Sequence, residues 1–217
     1  MSDYTIRLAT TADVDFLVEG IIAAEKSNSP RLGLATLFGL SEEEARMLII
    51  AMLMEEVDGC EYSVSSFLFV EHEDRAVAAV AGWLEGAEDD MPSGLLKSNL
   101  IGFTFPPESI TLLRTRGEVI SGIQIDREMG SVQIEYVYAH PDQRGKGLAG
   151  KLIGAHFARF PEALKAQVQA FSDNHVAIGL YERLGFRIVH TFTSKNPDTI
   201  HFMPFHEKVL MERVIDN

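Results

Sequence analysis

One strand–loop–helix unit constrains the fold of this chain more than any other segment. Residues Val132 to Ala139 are predicted to form a strand, and a helix is predicted from about Leu148 to Phe160, where Pro161 ends it. Between them lies the run Arg144-Gly-Lys-Gly-Leu-Ala-Gly-Lys, here called the glycine loop (residues 144–151). Its three glycines let the backbone approach a ligand closely, directly before a helix begins.

The charge of the glycine loop stands out against the rest of the chain. The loop holds three basic residues and no acid, whereas the whole chain has a net charge of −13. Because the loop runs into a helix, free N–H groups and the positive end of the helix dipole converge there, which favours a diphosphate. The alternative is a glycine-rich turn whose small residues allow close helix packing.

The glycine spacing also matches a second kind of site. Gly145, Gly147 and Gly150 fit the G-x-G-x-x-G dinucleotide fingerprint, although in that motif the first glycine follows its strand almost directly, and here five residues including Pro141 intervene. A P-loop is not present, because Lys146 is followed by Gly147 rather than by Ser or Thr. Because the spacing of the three glycines fits, an NAD-binding oxidoreductase remains an alternative hypothesis.

Composition excludes several other classes of function. The acidic charge opposes a nucleic-acid partner, and the single cysteine, Cys60, permits neither an intrachain disulfide nor a cysteine-rich zinc site. The longest apolar run, Met47 to Met54, is too short to span a membrane. No His or Cys cluster has metal-ligand spacing, and no serine-nucleophile elbow is present. We therefore expect a cytoplasmic protein without a metal, a membrane or a nucleic-acid partner.

The remaining patterns predict alternating strands and helices in one domain over residues 1–217. The N-terminal half is predicted to contain a strand at 4–9, a helix to about Lys26 whose start is capped by Thr10 with Asp13, and a connector at 27–39. A capping box of Ser41 with Glu44 is predicted to open a second helix to about Val57, and strands 67–71 and 76–84 are predicted to form a hairpin. The helix that begins after Ser41 is apolar nearly all round from Met47 to Met54, which favours a buried helix, an acceptor-channel wall or a dimer face. Residues 85–130 are predicted to be an insertion with a helix or two, and the C-terminal part to contain strands at 167–171, 187–192 and 208–214 around a helix at 175–184.

At four places the sequence resembles the GNAT family of N-acetyltransferases. Arg144-x-x-Gly147-x-Ala149 matches the acyl-CoA loop of that family, and the agreement extends to Ile6-Arg7-Leu8-Ala9-Thr10 with Asp13, to Ala81-Gly82-Trp83, and to Asn174-x-x-Ala177-x-x-x-Tyr181-x-x-x-Gly185-Phe186. The resemblance implies a mixed α/β fold, with a largely antiparallel central sheet flanked by helices and a splayed central strand pair. The helical segment near 27–60 and the insertion near 85–130 depart from the smallest members, on the side where the family binds its acceptor.

The resemblance also implies a cofactor site for acetyl-CoA. The backbone at Val137 and Ala139 would bind the pantetheine arm and thioester, the loop would bind the diphosphate, Asn174 would hold the arm, and Tyr181 would lie near the sulfur. Asn174 also suits the cap of the helix from His175, and Tyr181 also suits a core position. The full predicted set is Val137, Ala139, Arg144, Gly145, Lys146, Gly147, Leu148, Ala149, Gly150, Asn174 and Tyr181.

Two residues are the catalytic candidates. Tyr181 would stabilise the departing thiolate mainly by hydrogen bonding, because full proton transfer from a phenol to a thiolate is uphill by about 2 kcal/mol at ordinary pKa values. Glu135 is the candidate base, since strand alternation predicts that it shares a face with Val137 and Ala139. As a base it would need burial that raises its pKa, or a bridging water; otherwise it is a satisfied strand carboxylate or one that only attracts the amine. Other candidates for participation are Tyr138, His140, His201 and His206.

Together these features predict an acyl-CoA-dependent N-acetyltransferase. The acetyl group would pass from acetyl-CoA to a primary amine of a small-molecule or peptide acceptor, by direct attack in a ternary complex. Dimers are common in the similar family, and the helix at Met47 to Met54 would suit a homodimer. The competing hypothesis is an acyl-CoA sensor or interaction module of the same fold that performs no turnover.

Overall fold

The computed structural model describes residues 4–215 and contains a central sheet of seven strands. The strands are β1 Thr5–Leu8, β2 Phe67–His72, β3 Arg75–Leu84, β4 Val132–Ala139, β5 Lys165–Phe171, β6 Arg187–Thr193 and β7 Glu207–Val214. Their order is β1-β2-β3-β4-β5-β7-β6, and every neighbouring pair is antiparallel except β4–β5. The mixed, largely antiparallel sheet is as expected, and it is not the doubly wound parallel sheet that a dinucleotide fingerprint requires.

Eight α-helices surround this sheet within the described residues. They are α1 Val14–Lys26, α2 Gly33–Phe38, α3 Glu42–Met54, α4 Ser93–Thr104, α5 Pro107–Arg116, α6 Leu148–Arg159, α7 His175–Arg183 and α8 Thr199–Phe202. The predicted insertion holds α4 and α5, as expected, whereas the short helices α2 and α8 were not predicted. Short helices of one or two turns carry too little periodicity to be recognised.

Local sequence signals explain where several elements begin. Capping boxes are formed by Thr10 with Asp13 and by Ser41 with Glu44, which confirms both predicted helix starts. The turn between β2 and β3 consists of two residues, Glu73 and Asp74, both with positive φ. Such a turn matches the twist of the strands and confirms the predicted hairpin.

Two apolar layers cover the two faces of the sheet. One lies under α1, α2, α3 and the insertion, and the other lies under α6 and α7. Helix α3 is amphipathic rather than apolar all round: Ile49 and Met52 are fully buried, whereas Met47 and Met54 are 57% and 51% exposed. The insertion contributes Leu100 to the first layer, so it is packed into the core.

The sheet opens at β4–β5, the one parallel pair among the strands described between residues 4 and 215. Strands β4 and β5 pair at three positions, Val132 with Ala166, Gln133 with Gln167 and Ile134 with Val168, and no pair follows Ile134. The second half of β4 therefore separates from β5, as the predicted splayed strand pair requires. Backbone groups of β4 along this opening lack a strand partner on that side.

A bulge in β4 accompanies the opening. Ala81 of β3 lies opposite Glu135, and Ala79 lies opposite Tyr138, so three steps along β4 correspond to two steps along β3. Tyr136 lies in this stretch with a φ of +49°, a left-handed conformation that a bulky residue adopts only where the surrounding structure enforces it.

The bulge corrects one prediction about Glu135. Strict alternation places Glu135 on the face of Val137 and Ala139, but the extra residue reverses the phase of the strand. Glu135 instead shares a face with Tyr138, toward α1 and the insertion. Whatever Glu135 does, it acts from the side of the sheet opposite to α6.

Candidate functional site

An open groove crosses the end of β4 where the sheet splays. This outer groove has a volume of about 460 Å³, which lies within the usual range of roughly 300–1,000 Å³ for small-molecule sites. It runs between the C-terminal half of β4, the glycine loop, α7 and the end of α1. Ten of the eleven predicted cofactor residues line it: Val137, Ala139, Arg144, Gly145, Gly147, Leu148, Ala149, Gly150, Asn174 and Tyr181.

The glycine loop presents bare backbone to this groove. Gly145 and Gly147 have φ values of +77° and +74°, and the space where a Cβ would project is open at both. No side chain caps α6, so the N–H groups of its first turn have no partner within the helix. This is the arrangement that binds a phosphate group.

Other residues of the loop have different contacts. Gly150 packs closely on Leu184, where an added Cβ would lie 3.2 Å from a methyl group, so this glycine serves helix packing as well. Arg144 donates from Nε to the Ala139 carbonyl at 3.2 Å. Lys146 does not line the groove, and its Nζ donates to the Gln143 side chain at 2.6 Å.

Asn174 joins two helices at the middle of the groove. Its Oδ1 accepts from the Ala177 N–H at 3.2 Å, which confirms the helix-capping role, and its Nδ2 donates to the Ser27 hydroxyl at 2.8 Å. Ser27 ends α1 in a left-handed conformation. The contact fixes the end of α1 beside the start of α7.

Tyr181 lies where the outer groove meets a second, smaller cavity. Its ring is 5% exposed and packs edge-on against Phe186 at 5.9 Å, so it is also a core aromatic. Within residues 4–215 its hydroxyl makes no hydrogen bond. Burial, with a smaller contribution from the charge of Glu135, raises the pKa of Tyr181 well above its ordinary value. The group is therefore a hydrogen-bond donor that holds its proton firmly.

The second cavity, here called the inner cavity, has a volume of about 130 Å³ and lies in the opening between β4 and β5. It shares Val137, Asn174 and Tyr181 with the outer groove, so the two spaces are continuous. Three charged residues line it: Glu25 from α1, Glu135 from β4 and Lys208 from β7.

Glu135 is held by a buried ion network behind the cavity. Its Oε1 accepts from Arg127 Nη2 at 2.5 Å and from Nε at 3.2 Å. The same guanidinium donates to Glu61 at 3.0 Å, and Lys97 pairs with Glu61 at 2.7 Å. Burial raises the pKa of Glu61, but the charges of Arg127 and Lys97 outweigh it and hold the pKa at about 2.

Glu25 has a different environment. Its Oε1 accepts one hydrogen bond, from the Tyr136 hydroxyl at 3.1 Å, and it makes no ion pair within the described residues. Burial raises the pKa of Glu25, and the charges of Lys208 and Lys97 oppose this only in part. A carboxylate with a raised pKa in a cavity is a better proton acceptor than an ion-paired one.

Sequence reasoning did not single out Glu25, Lys208 or Arg127. Glu25 is one of several acidic residues on α1. Its position just before the polar turn that ends the helix is the one local feature that distinguishes it. Lys208 and Arg127 carry no motif. These residues come from distant parts of the chain, and only the tertiary fold brings Glu25 and Lys208 to the inner cavity and Arg127 to the network behind it.

The other predicted participants lie elsewhere. The Tyr138 hydroxyl donates to Glu19 of α1, and burial followed by this bond raises the pKa of Tyr138 to about 12. His140 pairs with Asp142 at 2.6 Å. His201 and His206 line neither the groove nor the inner cavity. None of the four faces the inner cavity.

Two further properties concern metals and membranes. Between residues 4 and 215, no group of three or more His, Cys, Asp or Glu side chains is arranged to hold a metal ion. No helix in the same range combines the length and the apolar character needed to cross a membrane.

Comparison with known proteins points to one family. Residues 44–186 match the Acetyltransferase (GNAT) family. No curated protein matches the chain significantly in sequence.

Solved structures show the same fold. An N-acetyltransferase from Staphylococcus aureus Mu50 superposes with a TM-score of 0.69 at 16% identity, over 96% of this chain and 100% of that one. A putative acetyltransferase from Salmonella typhimurium, solved with its cofactor acetyl-CoA, has a TM-score of 0.56 at 16% identity, over 100% and 96%. The polyamine N-acetyltransferase of Drosophila melanogaster, which forms N-acetylagmatine, has a TM-score of 0.58 at 16% identity, over 98% and 100%.

Arg127→Met is expected to destabilise the protein. The change removes the guanidinium that Glu61 and Glu135 share, and an uncompensated buried carboxylate costs about 3–5 kcal/mol. Chemical denaturation would measure the loss in the free energy of unfolding. Arg46→Met is the matched control, because the exposed Arg46–Asp15 pair at 4.0 Å should contribute less than about 1 kcal/mol. Equal, small losses in both variants would show that the buried network does not stabilise the fold.

Proposed function

Because the chain belongs to the GNAT acetyltransferase family, we propose that it transfers an acetyl group from acetyl-CoA to a primary amine, by direct attack within a ternary complex. One observation carries the proposal: a groove suited to a phosphorylated arm and a small charged cavity meet at Tyr181. Two substrates that enter from these two sides would bring their reacting atoms together at the opening of the sheet.

The outer groove fits acetyl-CoA. The open positions at Gly145 and Gly147 and the uncapped start of α6 suit its diphosphate. The unpaired side of β4 at Val137 and Ala139 offers backbone groups to the amide-containing arm. When bound, acetyl-CoA supplies a thioester: the amine nitrogen forms a bond to the carbonyl carbon as the carbon–sulfur bond breaks, and the N–H proton that the nitrogen then loses leaves with the CoA thiolate. An acceptor that enters as an ammonium ion must give up one further proton before it attacks.

Glu25 is the residue we assign to receive that proton. A lysine-like amine with a pKa near 10.4 is neutral in only about one molecule in 10³ to 10⁴ at pH 7, so removal of its proton is part of the barrier. The Glu135 carboxylate is occupied by Arg127, whereas Glu25 accepts a single hydrogen bond and has a raised pKa. Glu135 is then a residue that positions the network rather than the base that was expected from its place on β4.

Tyr181 is assigned to the departing sulfur. The residue lines both cavities, and within residues 4–215 its hydroxyl makes no hydrogen bond. Because burial raises its pKa, transfer of its proton to a thiolate with a pKa near 8.5 is more strongly uphill than for an ordinary phenol. It therefore stabilises the thiolate by donating a hydrogen bond.

Gly147→Asp tests the donor site. Asp tolerates a positive φ better than most residues, so the protein should fold, but its charge would repel a diphosphate at the start of α6. For the unchanged protein, acetyl-CoA at about 100 times its Kd should raise the melting temperature by roughly 5–11 °C, and NAD should not. The shift should vanish in Gly147→Asp and persist at least in part in Gly147→Asn, which has the same size without the charge. A full acetyl-CoA shift in the Asp variant would contradict the assigned diphosphate site.

Tyr181→Phe should lower turnover and leave acetyl-CoA affinity nearly unchanged. The variant loses one hydrogen bond to a charged atom, so kcat should fall by roughly 10- to 100-fold. Release of free thiol, measured with an amine found by screening, reports kcat, and the melting shift reports binding. Unchanged kcat would remove Tyr181 from the reaction. Thiol release from no amine, despite acetyl-CoA binding, would favour the sensor hypothesis.

Glu25→Gln should lower kcat/KM by roughly 10²- to 10⁴-fold, the usual contribution of a general base. Glutamine keeps the size of the side chain and still accepts from Tyr136. Glu19→Gln is the matched control, since Glu19 also lies on α1 and accepts from a tyrosine of β4, but outside the inner cavity. The pH profile of kcat/KM should lose the limb that reflects ionisation of Glu25 in Glu25→Gln and should keep that limb in Glu19→Gln. Full activity in that variant, with loss in a stably folded Glu135→Gln, would return the role to Glu135.

A further inference from the structure

Lys208 is a cation without a partner in the inner cavity. Within residues 4–215 its ammonium forms no hydrogen bond or ion pair, and its Nζ lies 4.9 Å from the centroid of the Phe171 ring. Lys208 lies opposite Phe171 in the β5–β7 register, at the edge of the opening between β4 and β5. Burial lowers the pKa of Lys208, so its charged form is costly there, and an anionic ligand would stabilise that form.

The other charges of the cavity are already assigned. Glu135 pairs with Arg127, and Glu61, behind it, is shared by Arg127 and Lys97. Glu25 and Lys208, whose side chains ionise with opposite charges, are the two groups that remain without an ion pair to another described residue. Both line the cavity, and no ion pair joins them to each other. The cavity therefore offers one site for a cation and a separate site for an anion.

We propose that the acceptor carries a carboxylate close to its amine, and that Lys208 binds this carboxylate while Glu25 faces the amine; the proposal rests on the proposed acetyltransferase function. A zwitterion of this kind brings no net charge into the cavity and gives each leftover group an opposite partner. A diamine would instead place its second ammonium against Lys208, where like charges repel. The cavity, of about 130 Å³, is continuous with the outer groove, so a short amino acid or the end of a longer acceptor can enter it.

Matched acceptors test this specificity. Glycine, β-alanine and γ-aminobutyrate sample different separations of amine and carboxylate, and each is compared with its amide and with the diamine of the same length. With saturating acetyl-CoA and the full chain, kcat/KM from thiol release should favour at least one amino acid over its amide and its diamine by roughly 10- to 100-fold, the value of a hydrogen bond to a charged group. A preference for the diamines, or equal rates for acid and amide, would overturn the proposal.

Variants of Lys208 test whether this side chain causes the preference for an amino acid over its amide. Lys208→Met should raise KM for the preferred amino acid and leave its amide unaffected, and Lys208→Glu should shift the preference toward the diamine. Lys195→Met is the control, because Lys195 is exposed and makes no contact with the cavity. The acetyl-CoA melting shift of each variant should equal that of the unchanged protein. An unchanged acid-to-amide ratio in Lys208→Met would contradict the assignment.

Two further measurements separate this inference from the proposed function. Calorimetry of the same amino acids and amides in the presence of CoA reports binding without turnover. Binding of an amino acid that disappears in Lys208→Met supports the carboxylate site even if no acetyl group is transferred, and absence of binding by every amino acid contradicts it. Peptide mass mapping after incubation with acetyl-CoA alone detects acetylated Lys208, and its appearance would show that Lys208 is an acceptor rather than a binding group.

Discussion

The end of the β4–β5 pairing at Ile134 is the constraint on which the rest of the site depends. A parallel pair that stops after three positions leaves one side of β4 unpaired, and the bulge at Tyr136 turns the strand away from β5. Buried backbone groups need hydrogen-bond partners, so an opening of this kind in the middle of a sheet is stable only where a ligand or side chains provide them. The outer groove and the inner cavity are the two sides of this opening.

Arg127 connects the insertion to that opening. Its guanidinium contacts Glu61 and Glu135, donates to Ser93 at 3.1 Å and lies over the Trp83 ring at 5.1 Å. A buried network of this kind adds less to stability than an apolar core of the same volume would, because each charge loses its hydration. It does fix the position of each member, which suits a wall of a binding cavity. The segment 85–130 thus supplies part of the network behind the inner cavity and is not a surface addition.

The sequence predicts most of the residues that line the outer groove and few of those that line the inner cavity, and the reason is physical. The proposed role of residues 144–150 depends on backbone conformation and a helix start, which are set by local sequence, so the glycines reveal them. The face of Glu135 was predicted wrongly, because a bulge reverses alternation and leaves no clear mark in the sequence. Glu25, Arg127 and Lys208 become neighbours only through tertiary packing, and nothing local marks them. A family resemblance carried by the loop therefore transfers to the donor more readily than to the acceptor.

The charge of the cavity differs from the charge of the chain. A net charge of −13 attracts cations from a distance, and it affects mainly the rate of encounter at low salt. In and behind the inner cavity, however, the three carboxylates Glu25, Glu61 and Glu135 are equal in number to the three basic residues Lys97, Arg127 and Lys208. Selection of an acceptor takes place at short range, where pairing and desolvation dominate over the distant field. An acidic surface is therefore compatible with a cavity that discriminates against polycations, and the overall charge is a poor guide to the substrate.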